Sequence, residues 1–112
     1  FILSYNFKIP LTSLYLETHI QSMSLPMNAN TLEEAVARTQ QFTTRPSNEE
    51  LLRLYGLYKQ ATEGDNEEER PGGFDFKAAA KYNAWLMLKG KPKEDASTAY
   101  VELVTELSGK YL

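Results

Sequence analysis

From residue 31 onward, apolar residues recur every three to four positions in stretches separated by short polar or Gly/Pro-rich joints. That period belongs to helices, and four are predicted. The first lies in "NTLEEAVARTQQF". Asn30 and Glu33 have capping-box spacing there, and Leu32, Ala35, Val36, Thr39 and Phe42 share a face. Pro46 discourages helix at Arg45 and closes the segment. The second opens at "SNEELL", with Ser47 and Glu50 at the same capping-box spacing and Gly64 as terminator. A loop, "DNEEERPGG", occupies 65–73, its acids read as a solvated surface. The third helix is predicted in "DFKAAAKYNAWLMLKG", from an Asp75 cap to a stop at Gly90. Pro92 then punctuates. The fourth, "KEDASTAYVELVTELSGKYL", puts Ala96, Ala99, Tyr100, Leu103, Val104, Leu107 and Tyr111 on one face. No segment alternates with the period of two that a half-buried strand needs. The expected fold class is all-α, with short connections that favour antiparallel neighbours.

Residues 1–30 lack this pattern. The expected organisation is an N-terminal extension of unknown role over 1–30 and a helical domain over 31–112. The chain begins on Phe1, and Met23 in "MSLP" is a candidate natural start. Segment 1–22 has no basic region followed by a continuous apolar stretch, so it is a poor signal peptide.

On a helical wheel the second and third helices are less tidy than the fourth. The second places Glu49, Arg53, Gly56, Gln60 and Glu63 on its polar side. Its apolar arc runs through Leu51, Leu52, Leu54, Tyr55, Leu57, Tyr58 and Ala61, and Lys59 sits inside that arc. The third helix has an arc of Phe76, Ala80, Ala84, Trp85, Met87 and Leu88 that also holds Lys77 and Lys81, four residues apart and so on one face. It is apolar almost all round, which predicts contact on more than one side. An unpaired ammonium costs several kcal/mol, roughly, to bury. One resolution is snorkelling, the stems covering apolar surface while the ammonium groups reach water. The other is a groove in which the lysines meet an anion and the apolar positions line a track. Tyrosine suits such a groove, since its ring stacks on a flat group and its hydroxyl hydrogen-bonds phosphate.

Composition narrows the chemistry. With 12 basic and 15 acidic residues, net charge −3, the chain is no general nucleic-acid binder. It has no cysteine, which removes disulfides and thiolate chemistry and leans towards the cytoplasm. Its one histidine, His19, leaves no His-rich metal site, and the expectation is neither a metal nor a cofactor. No apolar run approaches the roughly 20 residues of a membrane span. A calcium loop is not expected in 65–73, where the ligand spacing is absent.

"YGLYKQATEGD" at 55–65, "RPGGFDFKAAAKYNAW" at 70–85, "LKGKPKEDA" at 88–96 and "AY" at 99–100 closely resemble the small acyl-CoA-binding protein family, also called the diazepam-binding inhibitor family. The resemblance runs from about 31 to 112 and leaves 1–30 largely outside it. It implies an up-down-down-up four-helix bundle that binds medium- to long-chain fatty acyl-CoA esters. Such a protein is a cytoplasmic carrier and pool former in fatty acid metabolism, not an enzyme. It implies a monomer that takes no nucleic acid and leaves room for transient contact with membranes or acyl-CoA-using enzymes. By position, Tyr55 matches the family tyrosine at the CoA head group, and Tyr58 and Lys59 the pair at the adenosine-phosphate end. Lys59 and Lys81 are candidate partners of the 3′-phosphate, Lys77 matches another head-group position, and Tyr100 matches the family tyrosine that faces the adenine. Leu51 and Leu52 fall where the acyl chain lies, and Gln40 stands where the vertebrate form usually has lysine. Other departures are Arg45, which keeps a charge, Tyr82 in place of a common tryptophan, and Ala79 where a lysine can occur. Two rival readings stay open: a helical protein-interaction domain whose aromatic groove takes a partner helix, and an enzyme acting on CoA esters. The enzyme would need a positioned base or nucleophile, and the patterned region has neither His nor Cys.

Overall fold

The computed structural model describes residues 31–112. The expected extension over 1–30, with Met23, His19 and the Asn30 cap, lies outside the described residues. Four helices follow one another: α1 Leu32–Thr39, α2 Asn48–Glu63, α3 Phe76–Leu86 and α4 Lys93–Tyr111. Among the described residues there is no strand, so the all-α expectation holds. The chain divides into two compact units, one of Ser47–Ala99 and one whose described residues are 31–46 and 100–112.

In the second of these, α1 is started by a capping box one residue later than expected. Thr31 Oγ1 accepts from the Glu34 amide at 3.1 Å, and the Glu34 carboxylate accepts from the Thr31 amide at 3.2 Å. α1 stops at Thr39, three residues short of the predicted end, and Phe42 is buried from the turn beyond it. The turn is tied to the end of α4: Thr43 donates its amide and its hydroxyl to the Tyr111 carbonyl at 2.7 and 2.9 Å. The Phe42 and Tyr111 rings meet at 5.9 Å. Ala35, Val36, Tyr100, Leu103, Val104 and Leu107 are buried, as the periodicity predicts.

The unit of residues 47–99 carries α2, α3 and the first turns of α4. Ser47 and Glu50 form the predicted capping box at 3.1 and 2.9 Å. α2 ends on Gly64, whose φ of 84° is one that side chains with a Cβ rarely adopt. α3 starts on Asp75, whose carboxylate accepts from the Ala78 amide at 3.0 Å. Its end differs from expectation: the helix closes at Leu86, and 87–90 form tighter turns with bonds from Leu88 to Trp85 and from Lys89 to Leu86, both 3.0 Å.

Two features of α2 correct the wheel. Gly56 and Gln60, placed on the polar side, are both buried. A Cβ on Gly56 would lie 2.6 Å from the Ala84 carbonyl oxygen, so the missing side chain is what lets α2 and α3 approach. Gln60 is fully buried, and its side-chain nitrogen is a hydrogen-bond hub. Its amide donates to Asp65 Oδ1 and to the Lys91 carbonyl, each at 2.8 Å. Asp65 also accepts the Gly90 amide at 2.9 Å. Asp65 is exposed, as are Glu67, Glu68 and Glu69 and as the acidic run predicts, but it is also part of a latch between the end of α2 and the turn after α3. α3 is also less enclosed than predicted: only Trp85 is fully buried, and Phe76 and Met87 are 78% and 82% exposed.

Candidate functional site

The face that carries the misplaced lysines lies within the unit of residues 47–99, on α2 and α3. These helices pack together along the line opened by Gly56. At 100° per residue, Leu51, Leu52, Tyr55, Tyr58 and Lys59 fall along neighbouring rows of α2. All five are half-buried, neither sealed in a core nor fully in water. On α3, Lys81 is half-buried and Lys77, one turn earlier, is exposed.

The two half-buried lysines are held crosswise. Lys59 of α2 places its ammonium 4.8 Å from the ring of Trp85 on α3. Lys81 of α3 places its ammonium 5.1 Å from the ring of Tyr55 on α2. Each helix thus supplies one cation and one ring, and the attraction of a cation for the ring's electron-rich face holds both ammonium groups in the seam. Trp85 is fixed underneath: it is 2% exposed, and its indole N–H donates to the Gly64 carbonyl at 2.8 Å. Lys59 has a second partner, an ion pair with Glu63 one helical turn on.

The electrostatics follow from this arrangement. Burial pulls the pKa of Lys59 down, but the hydrogen bond and charge of Glu63, with Tyr55 and Glu68 behind them, outweigh it and raise the value. Lys59 is therefore cationic throughout the neutral range. Burial pushes the Tyr55 phenol up, Lys59 opposes it, and Glu68 and Glu63 add to the rise. The phenol keeps its proton and can donate to a phosphate oxygen. Two ammonium groups, a phenol and a flanking lysine beside half-buried leucines can take a ligand with an anionic head and an apolar tail.

Of the residues singled out in the sequence, the structure brings Tyr55, Lys59 and Lys81 together and places Leu51, Leu52, Tyr58 and Lys77 on the same two helices. Gln40, exposed, and Tyr100, buried at 4% exposure, belong to the other unit. Two residues that shape the site are absent from the sequence-derived set. Trp85 falls in the apolar arc, and the cation it carries becomes visible only when α2 and α3 are set side by side. Glu63 falls on the polar face, although its spacing of four from Lys59 is the signal for a helical ion pair. Among the described residues no cluster of acidic side chains or histidine is arranged to hold a metal, and no helix is long and apolar enough to cross a membrane.

The family described as "Acyl CoA binding protein" has a model that matches residues 30–104. The chain is similar to the acyl-CoA-binding protein of Dictyostelium discoideum, 53% identical over 81 residues that cover 72% of this chain and 96% of the relative. It is also similar to the acyl-CoA-binding protein of Saccharomyces cerevisiae, 48% identical over 85 residues that cover 76% of this chain and 98% of the relative. Among solved structures, the crystal structure of Oryza sativa Acyl-CoA-Binding Protein 2 matches with a TM-score of 0.67 and 40% identity, covering 70% of this chain and 88% of that one.

Proposed function

The chain belongs to the acyl-CoA-binding protein family, and from that premise we propose that it binds medium- to long-chain fatty acyl-CoA esters and carries them in the cytoplasm without transforming them. Residues 31–112 form the binding domain in this reading, 1–30 an extension to it, and the carrier works as a monomer. The observation that supports it best is the crosswise pairing of Lys59 with Trp85 and of Lys81 with Tyr55. The rings hold the two cations in one seam, where a phosphate can meet both. Lys59 and Lys81 take the 3′-phosphate, Lys77 reaches the rest of the head group, and Tyr55 donates its phenol. Tyr58 completes the head-group contacts on this unit. The acyl chain lies along Leu51 and Leu52. Lysine serves here as a point charge, without the planar fork of arginine.

Each methylene that leaves water contributes about 0.8 kcal/mol. Calorimetric titration with saturated acyl-CoAs from C8 to C20 is expected to show affinity rising with chain length and then levelling off where the apolar track ends. Affinity that is flat across the series removes tail burial from the account. The carrier reading also expects acyl-CoA to co-purify with the protein under mild conditions, which native mass spectrometry detects. A protein-interaction domain would show neither effect.

A further inference from the structure

We propose that Glu63 is an internal competitor for the anion site, a carboxylate that holds the Lys59 ammonium until a phosphate displaces it. This rests on the reading above, in which Lys59 meets the 3′-phosphate of acyl-CoA. Glu63 lies one turn after Lys59 on α2, and the two form an ion pair. The partners are unequally sheltered, with the Lys59 side chain 19% exposed and that of Glu63 49%. Lys59 is also held by the Trp85 ring at 4.8 Å. The ammonium therefore stays in the seam, while the carboxylate has open water to retreat into. An approaching phosphate meets a lysine whose charge is already cancelled, and a carboxylate whose own charge repels it.

Competition of this kind sets affinity without touching the ligand. A half-exposed pair of this sort is weak and solvent-screened, so Glu63 lets go at modest cost. When the ligand leaves, Glu63 recaptures Lys59 and closes the site to immediate rebinding. The effect is confined to the 3′-phosphate, the group that Lys59 meets. Glu63 is thus a specificity- and release-tuning residue rather than a contact for the ligand.

The test is Glu63→Gln, which keeps the shape of the side chain and removes its charge at a half-exposed position. Calorimetry with hexadecanoyl-CoA is expected to give about two- to fivefold tighter binding by the variant than by the wild type, the worth of a screened pair. With the 3′-dephospho form of the same ester, the two proteins are expected to bind alike. The gain is expected to vanish in the Lys59→Ala background. Wild-type binding of hexadecanoyl-CoA with an equal or weaker affinity in Glu63→Gln overturns the inference alone, since Glu63 then merely positions Lys59. An equal gain with the dephospho ester overturns it too, because the effect is then general charge and not competition at one phosphate. Failure of both proteins to bind hexadecanoyl-CoA overturns the acyl-CoA reading, and this inference with it.

Discussion

Lys59, half-buried, and Asp65, exposed, show two opposite means of holding a charged side chain in place. Lys59 rests on a ring and a carboxylate, Trp85 and Glu63. Asp65 accepts hydrogen bonds from the Gly90 amide and the Gln60 side chain, which hold its carboxyl below the ordinary value of 3.8. A depressed pKa in the folded state means that the carboxylate stabilises the fold fully above the unfolded value. That contribution is lost as pH falls from 3.8 through the lower folded value. Asp65→Ala is therefore expected to lower Tm at pH 7, and the gap between variant and wild type to narrow in thermal melts taken from pH 4 downward. A gap that persists unchanged at the lowest pH contradicts the latch. The oddity of Lys59 was legible in the sequence, because helical periodicity alone shows a cation inside an apolar arc. The role of Asp65 was not. Its partners lie five and 25 residues away, and an acid at the head of an acidic run gives no local sign of a remote acceptor role.

At the scale of elements, caps and periods carried the reading well and helix contacts did not. Ser47 with Glu50, the Asp75 cap and the Gly64 stop all depend on neighbours within four residues, so the sequence displays them directly. The first cap slipped by one position because Asn30 and Thr31 are both good caps followed three residues later by glutamate. α3 was read as ending at Gly90. The backbone tightens from Leu86 onward, and nothing in "LMLKG" marks that change. The exposure of Phe76 and Met87 has a different cause: a wheel shows which residues share a face, not which face has a partner. Gly56 is the instructive case. A glycine within a helix usually weakens it by about 1 kcal/mol relative to alanine, which favours Gly56→Ala on propensity alone. Here the new methyl would sit 2.6 Å from a backbone oxygen of α3, an atom with no rotamer to change. Gly56→Ala is expected to destabilise the protein by about 1–3 kcal/mol, as overpacking does, measured by urea unfolding. A gain in stability instead would show that α2 and α3 have room to part.

For the whole molecule, the all-α class followed from one physical fact, that a period near 3.6 recurs and a period of two does not. The family's fold agrees with it. Net charge was informative in a narrower way. At −3 the chain has no general attraction for anions, so an anionic ligand must be drawn by local charge, and screening limits that reach to about 8 Å at physiological salt. Lys59 and Lys81, held on rings in one seam, are the local charge that the account requires. The pairing itself was not legible in the sequence, because each lysine finds its ring on the other helix. The central claim is that this seam binds the head group of fatty acyl-CoA. It is tested most directly by titrating hexadecanoyl-CoA calorimetrically into the wild type and into Lys59→Ala/Lys81→Ala, with circular dichroism to show that the fold is kept. Two charge-assisted contacts at about 1.5 kcal/mol or more each predict one-to-one binding by the wild type and a loss of at least about a hundredfold in the variant. Equal affinity and stoichiometry in the two folded proteins would contradict the account.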